Sequence, residues 1–346
     1  MRRIRWGVIG AGGIADRRTI PGMLKADSAE LVAVMEVDRE RAESLRGKYG
    51  ARRAYADGAT LLRDPEVDAV YIASPVALHL EQAMAAADSG KHILIEKPLA
   101  LRMSDGRALV EGARAKGVKL CACHQNRFNK SIQKIRTAVE EQRFGRMLHG
   151  AAHVRWNRGR DYYEQAPWRG TWAQDGGALM NQCIHNIDLL RWMMGDEVTE
   201  VFAYTDNLAH DYIEAEDIGL AMVRFANGAY GIIEGTTNIY PHNLEETLYL
   251  FGENGTVKAG GKSVNVIEEW DFRDGRGDPA TIKMEFGENP PNVYGFGHTP
   301  LYADMARAIL EDREPYVNGE AGLRAMELVL AIYSSAATRQ PVRLPL

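Results

Sequence analysis

Gly10-Ala11-Gly12-Gly13-Ile14-Ala15 is a G-x-G-x-x-A run that closes the apolar stretch 4–10. In that setting it can cradle a pyrophosphate. Gly10 permits a tight turn, Gly12 lets the backbone approach the phosphates, and the small Ala15 lets a helix pack on its strand. Gly13 and Ile14 open that helix, whose free N–H groups and positive end favour the same anion. Glu36 ends the next apolar run, about 20 residues on, where a carboxylate accepts from ribose hydroxyls and repels a 2′-phosphate. Glu36 and Asp38 therefore point to NAD, while Arg39 and Arg41 keep NADP open.

Two further groups fall at the ends of apolar runs. Ser74-Pro75 closes 69–74, with His79 shortly after it, and Glu96-Lys97-Pro98 closes 92–96. A lysine beside a cationic nicotinamide ring has its pKa lowered, and it can donate to a substrate hydroxyl or relay its proton. An isolated Lys-Pro pair also suits a surface loop. Farther along, Asn181 and His185 are one helical turn apart on an otherwise apolar stretch, an interruption that suits function better than packing. Asp188 either orients the His185 ring or makes a local structural bond. Residues 155–172 hold three tryptophans, two tyrosines and four arginines. Aromatic rings stack on sugars and arginines bind hydroxyls or anions, so Tyr163, Trp168 and Arg169 are candidate substrate contacts, or else packing anchors. Asn126 follows the run 119–124 and is a further candidate. Cys121, Cys123, His124 and Cys183 lack paired C-x-x-C spacing, so buried thiols are expected and no metal. His298 either reaches substrate or sits beside Thr299 as a helix cap.

These residues need elements to hold them. Apolar runs at 4–10, 29–36, 69–74, 92–96 and 119–124 alternate with helical stretches at 39–49, 77–89 and 103–116, which predicts βαβ units and a doubly wound parallel sheet. Continuous apolarity suits strands buried on both faces. After residue 125 the pattern changes. Strands are expected at 147–156, 198–208, 216–226, 229–238, 244–251, 255–258, 264–270 and 281–286, with helices at 130–143, 183–194, 301–312 and 321–337. Asn227-Gly228 and Asn254-Gly255 are hairpin signals. The fold class is α/β: an N-terminal Rossmann domain over 1–125, then an α+β domain over 126–346 with a large, mostly antiparallel open sheet.

The glycine run, Glu36, Ser74-Pro75, His79 and Glu96-Lys97-Pro98 together resemble the glucose–fructose oxidoreductase / inositol dehydrogenase / MocA (Gfo/Idh/MocA) family. So do Trp168-Arg169, the segment from Gly176-Gly177 through Asn181, His185 and Asp188, and the ending Pro341-Val342-Arg343-Leu344-Pro345-Leu346. The resemblance implies an NAD(P)-dependent oxidoreductase acting on a secondary alcohol or ketone of a sugar, polyol or sugar derivative. It implies that Gly10, Gly12, Gly13, Ile14, Glu36, Ser74, Pro75, His79, Glu96 and Lys97 hold the cofactor. Lys97 and His185 become the catalytic pair: His185 takes the hydroxyl proton and Lys97 polarises the same oxygen. Members often carry aspartate where this chain has Asn181, a subgroup feature that removes a carboxylate from beside His185. Pairing through the second domain's open sheet into a homodimer or homotetramer is also implied. The alternatives are a reductase of a dihydrodiol or imine, and a non-catalytic NAD(P)-binding sensor.

The net charge of −5 argues against non-specific nucleic-acid binding. Three cysteines are too few for a disulfide framework. No apolar run approaches the roughly 18–20 residues of a membrane span, and no apolar stretch follows the basic start as in a secretory leader. A cytoplasmic enzyme with a small-molecule substrate is expected.

Overall fold

The computed structural model describes residues 2–195, 197–288, 290 and 292–346. The chain divides into two compact units, Met1–Gln125 with Phe296–Leu323, and Asn126–Gly295 with Arg324–Leu346.

In the first unit the strands are β1 (Ile4–Ile9), β2 (Ala29–Met35), β3 (Arg53–Tyr55), β4 (Ala69–Ile72), β5 (His92–Ile95) and β6 (Leu120–Ala122). They form one sheet in the order β3-β2-β1-β4-β5-β6, and every pairing is parallel. Helices α1 (Ile20–Met23), α2 (Arg39–Tyr49), α3 (Gly58–Leu62), α4 (His79–Asp88) and α5 (Met103–Ala115) alternate with them. The Rossmann expectation is met. Strand β3 has no apolar run to announce it. It is a short edge strand in which Arg53 and Tyr55 hydrogen-bond the buried Asp64.

The helical turn after β1 is not regular. Ala15–Thr19 form a π-helical turn, closed by Ile20 N–H donating to the Ala15 carbonyl. Pro21 has no N–H to offer the Arg17 carbonyl. That carbonyl instead accepts from Arg18 Nη1 at 3.0 Å. Such turns concentrate at functional sites.

The second unit contains α6 (Lys130–Glu140), β7 (Met147–Arg155), α7 (Arg160–Tyr163), α8 (Ile184–Met194), β8 (Val198–Asp206), β9 (Ile218–Phe225), β10 (Tyr230–Thr236), β11 (Glu245–Gly252), β12 (Gly255–Gly260), β13 (Val266–Phe272) and α9 (Pro279–Phe286). Helices α10 (His298–Leu310) and α11 (Gly319–Thr338) and the short strand β14 (Val342–Arg343) complete the chain. The sheet runs β13-β12-β11-β7-β10-β9-β8-β14, antiparallel except where β7 meets β10. Both Asn-Gly pairs join antiparallel neighbours, as their turn chemistry predicts.

Two expectations give way. The run 281–286 is helical, not a strand: Asp278 caps it by accepting from Thr281 N–H at 2.8 Å, and Pro279 occupies its first turn. Residues 296–323, assigned by sequence to the second domain, belong to the first unit. The reason is aromatic packing. Tyr302 of α10 meets Trp6 edge-on at 5.0 Å and Tyr71 at 6.1 Å, and all three rings are buried. Gly22 makes that packing close, since a Cβ there would lie 2.8 Å from His298 Cβ.

Helix α8 covers the inner face of the second sheet. Gly150 lies under Met194 and Leu190, Gly219 under Leu179, and Gly235 under Cys183 and Leu179. Added Cβ atoms there would meet those side chains at 2.8, 2.4 and 2.6 Å, so the glycines set how near the helix segment lies. Its polar anchor is Asp188, fully buried, which accepts from Arg127 Nε at 2.7 Å and Nη2 at 2.6 Å. Arg127 also lies over the Trp192 ring at 4.5 Å. The second guanidinium, Arg191, lies 3.4 Å from the same carboxylate, and burial lowers its pKa to about 10. No helix among the described residues is long and apolar enough to cross a membrane.

Breaking a buried pair leaves an uncompensated charge. Arg127→Met is expected to lower unfolding free energy by about 3–5 kcal/mol, measured by urea denaturation. A loss under about 1 kcal/mol would show that Arg191 alone neutralises Asp188.

Candidate active site

In the first unit the cofactor candidates gather at the C-terminal ends of β1, β2, β4 and β5. Gly10 ends β1 with φ +77°, and a Cβ there would lie 2.8 Å from the Ser74 nitrogen, so only glycine fits. Gly12 donates its N–H to Glu36 Oε2 at 2.9 Å. A Cβ on Gly12 would lie 2.5 Å from Arg41 Nη2 and 2.7 Å from that carboxylate oxygen. Gly13, at φ +54°, faces open space, and Ile14 follows it into the helix. The bare glycine turn and the acid closing β2 fit the diphosphate and ribose of a dinucleotide. Asp38 instead caps α2, accepting from Glu40 and Arg41 N–H at 2.9 and 3.2 Å.

His79 is 1% exposed, so its predicted role as a cofactor contact is replaced by a positioning one. Its Nε2 lies 3.1 Å from the Ser74 carbonyl and its Nδ1 lies 3.1 Å from that of Pro98. The ring thus sits between the loop after β4 and the loop after β5, and with one N–H in its neutral form it donates to one of these carbonyls while packing against the other. Burial lowers its pKa to about 4, so the ring is neutral near pH 7. Ser74 Oγ donates to Gln82 Oε1 at 2.5 Å, and Pro75 leads into the turn before α4. Lys97 is half-buried, and its bond to Pro98 is cis. Glu96 beside it accepts from the Tyr71 hydroxyl and, at 3.2 Å, from Lys97 N–H. Atoms of Glu96, Cys123 and His298 that could ligate a metal lie within 4.8 Å of one another. Burial pushes the Cys123 thiol up, so it carries its proton at neutral pH. His298 is buried, and Thr299 donates to the Gly22 carbonyl at 3.0 Å instead of capping α10.

In the second unit the His185 segment begins with a turn that residue spacing does not announce. Gly177 packs against Glu216 so closely that a Cβ would lie 1.6 Å from Oε2. Glu216 Oε1 accepts from Leu179 N–H at 2.9 Å and from the Tyr333 hydroxyl at 2.8 Å. Burial raises its pKa to about 7. Leu179–Cys183 then form a π-helical turn, and α8 presents His185 in its first turn, half-buried. Asn181 Nδ2 donates to Asp175 Oδ1, and Asp175 Oδ2 accepts from Gly170 N–H at 2.8 Å. A carboxylate is therefore present one side chain away from position 181, from a residue that sequence spacing does not single out.

The other candidates separate. Asp188 is held in its buried ion pair, so the structural alternative fits it and substrate binding does not. Asn126, 2% exposed, donates to Glu246 Oε1 at 3.0 Å and is likewise removed from substrate. Tyr163 points inward, its hydroxyl 3.1 Å from Thr237 Oγ1. Adjacent residues on a helix point about 100° apart. Tyr162 therefore points elsewhere, and its hydroxyl accepts from Gln182 Nε2 at 3.1 Å. Arg169 lies over the Tyr162 ring at 4.3 Å and over Trp168 at 4.6 Å. Arg158, not anticipated, lies over Tyr162 at 5.4 Å and Trp156 at 4.6 Å.

Comparison with known proteins agrees with this geometry. Residues 4–124 match the family described as "Oxidoreductase family, NAD-binding Rossmann fold", and residues 132–258 match the "GFO/IDH/MocA C-terminal domain". Myo-inositol 2-dehydrogenase of Thermotoga maritima is 29% identical, over 99% of this chain and 98% of that protein. 1,5-Anhydro-D-fructose reductase of Ensifer adhaerens is 30% identical, over 97% of each. The WlbA dehydrogenase from Bordetella pertussis, solved with NADH and UDP-GlcNAcA, superposes with a TM-score of 0.91 at 39% identity. It spans 100% of this chain and 99% of its own.

Two measurements follow from these contacts. Glu36→Ala is expected to weaken NAD binding by about tenfold or more and to relax discrimination against NADP; unchanged constants for both would remove Glu36 from the ribose site. The second concerns Glu246, which burial raises to about 8 from the usual 4.5. Folded, it keeps a proton that the unfolded chain releases, so stability falls as pH rises from about 4.5 to about 8. Glu246→Gln lacks that decline. Its Tm relative to the parent should therefore climb between about pH 5 and pH 8, and a flat difference would show an ordinary carboxyl.

Proposed function

The chain belongs to the GFO/IDH/MocA oxidoreductase family, and on that premise we propose that it oxidises a secondary hydroxyl of a sugar, polyol or sugar derivative. The observation that carries the reading is Glu36 on the Gly12 N–H, in the sheet whose fifth strand, His92–Ile95, leads into Lys97 two residues on. NAD, when bound, supplies the hydride acceptor. Lys97 donates a hydrogen bond to the substrate oxygen and stabilises negative charge as it develops. His185 takes the hydroxyl proton. Asn181, held by Asp175, orients the substrate or the imidazole, so the carboxylate acts through an amide.

The 39% identity to a dehydrogenase solved with NADH and UDP-GlcNAcA supports a nucleotide-linked sugar acid as the substrate. The setting we propose is cytoplasmic, in keeping with a chain of only three cysteines, all buried. We also propose a homodimer or homotetramer. The outward face of the second sheet places Tyr204, Leu220, Met222, Tyr230 and Ile232 on adjoining strands, and Met222 and Tyr204 are 62% and 61% exposed. Such a patch suits a self-complementary interface.

The test is formation of reduced nicotinamide with NAD against sugars, polyols and UDP-GlcNAcA, comparing the parent with Lys97→Met. Turnover should fall by about 10²-fold or more in the variant with NAD affinity retained. No turnover on any compound, with NAD bound and no cofactor carried through purification, would favour the sensor.

A further inference from the structure

Four arginines lie between residues 155 and 169, and they divide into two kinds. Arg155 pairs with Glu234 and Glu245, and Arg160 with Glu164 and Asp211. Arg158 and Arg169 have no carboxylate within ion-pair distance among the described residues. Arg158 donates through Nη1 to the Asn157 carbonyl at 2.6 Å and to Asn243 Oδ1 at 3.0 Å, both neutral. Arg169 Nε is buried with no hydrogen-bond partner among the described residues. Both guanidinium groups nevertheless lie over the ring of Tyr162. Stacking on an aromatic face holds a guanidinium in place and leaves its N–H edge available, but does not neutralise its charge. The acid within electrostatic reach of Arg158 is Glu246, which burial keeps protonated near pH 7, so two like charges held on one ring with no carboxylate at ion-pair distance are organised for an anion.

We propose that Arg158 and Arg169 form an anion clamp, with Tyr162 as its spacer, for an acidic group of the substrate. This rests on the dehydrogenase reading and sharpens it: the substrate is an acidic sugar, not a neutral polyol. The clamp is keyed to the catalytic helix within one unit. The Tyr162 hydroxyl accepts from Gln182, three residues before His185. The planar fork of each arginine matches a carboxylate or a phosphate, both of which it binds in bidentate fashion. A uronic-acid carboxylate and a sugar-linked diphosphate therefore share the required chemistry.

The test uses calorimetric titration of the full-length protein carrying NADH. The probes are UDP-GlcNAcA, UDP-GlcNAc without the carboxylate, N-acetylglucosaminuronic acid without the diphosphate, and myo-inositol. Arg158→Gln and Arg169→Gln should each weaken UDP-GlcNAcA by about tenfold or more, leaving NADH affinity and myo-inositol unchanged. Arg169→Lys, which keeps the charge, controls for lost packing and should retain part of the affinity. If the carboxylate is the seat, the glutamine variants bind UDP-GlcNAc as the parent does. If the diphosphate is the seat, they weaken UDP-GlcNAc equally and leave N-acetylglucosaminuronic acid alone. Parent-like binding of all acidic probes by both variants overturns the clamp, as does parent protein that binds none of them. Turnover of a neutral sugar with the clamp refuted would leave the dehydrogenase reading standing; parent protein that fails to bind NADH would bring that reading down as well.

Discussion

Asp188 and Arg127 are removed from water together, and the geometry of the second unit follows from that. A lone buried carboxylate is too costly to keep ionised, so the helix bearing Asp188 must lie where Arg127 can reach it with both nitrogens. Such a pair gives little net stability against an apolar replacement. Its effect is on placement, because few orientations of α8 satisfy a bidentate contact. The glycines of β7, β9 and β10 then let the segment lie close to the sheet, and Glu216 holds the turn before it through Leu179 N–H. His185 takes its position from these three constraints.

The first unit solves a related problem with backbone instead of charge. Gly10 lets β1 approach the backbone at Ser74, where strand order reverses direction from β1 outward. His79 then spans from the Ser74 carbonyl to the Pro98 carbonyl. Three loops that must jointly grip one long cofactor are thereby set side by side, by a close backbone contact and by a buried, neutral imidazole packed between two of them. Neither needs a charge next to the phosphates.

Much of this is legible in sequence, and the failures have physical causes. The apolar runs, the glycine turn and the Asn-Gly hairpins act locally, so periodicity and residue type suffice to find them. The helix at 279–286 reads as a strand because its apolar spacing outweighs an Asp-Pro capping signal. Sequence points to Tyr163 over Tyr162 because it does not give the rotation of a short helix. Asp188, Asn126 and His79 look like contacts because polarity is legible and partners are not: Arg127 is 61 residues from Asp188, and Glu246 is 120 from Asn126. Glu216 escapes notice for the same reason, 37 residues from Leu179, whereas Asp175 is only six residues from Asn181 and is missed because the loop between them has no periodic spacing to pair the two.

The π-helical turns at Ala15–Thr19 and Leu179–Cys183 have a consequence for how such a chain tolerates change in length. Each holds one residue more than a regular turn would, so side chains beyond it are out of phase with those before it by roughly 100°. Loss of a single residue within 179–183 would restore regular winding and rotate the start of the segment by that amount relative to His185. The Gly177 seat on Glu216 and the Asp188 pair with Arg127 could then no longer both be satisfied. The surplus residue acts as a phase adjustment between two anchors, and a deletion there would be felt as a twist before it was felt as a loss of contacts.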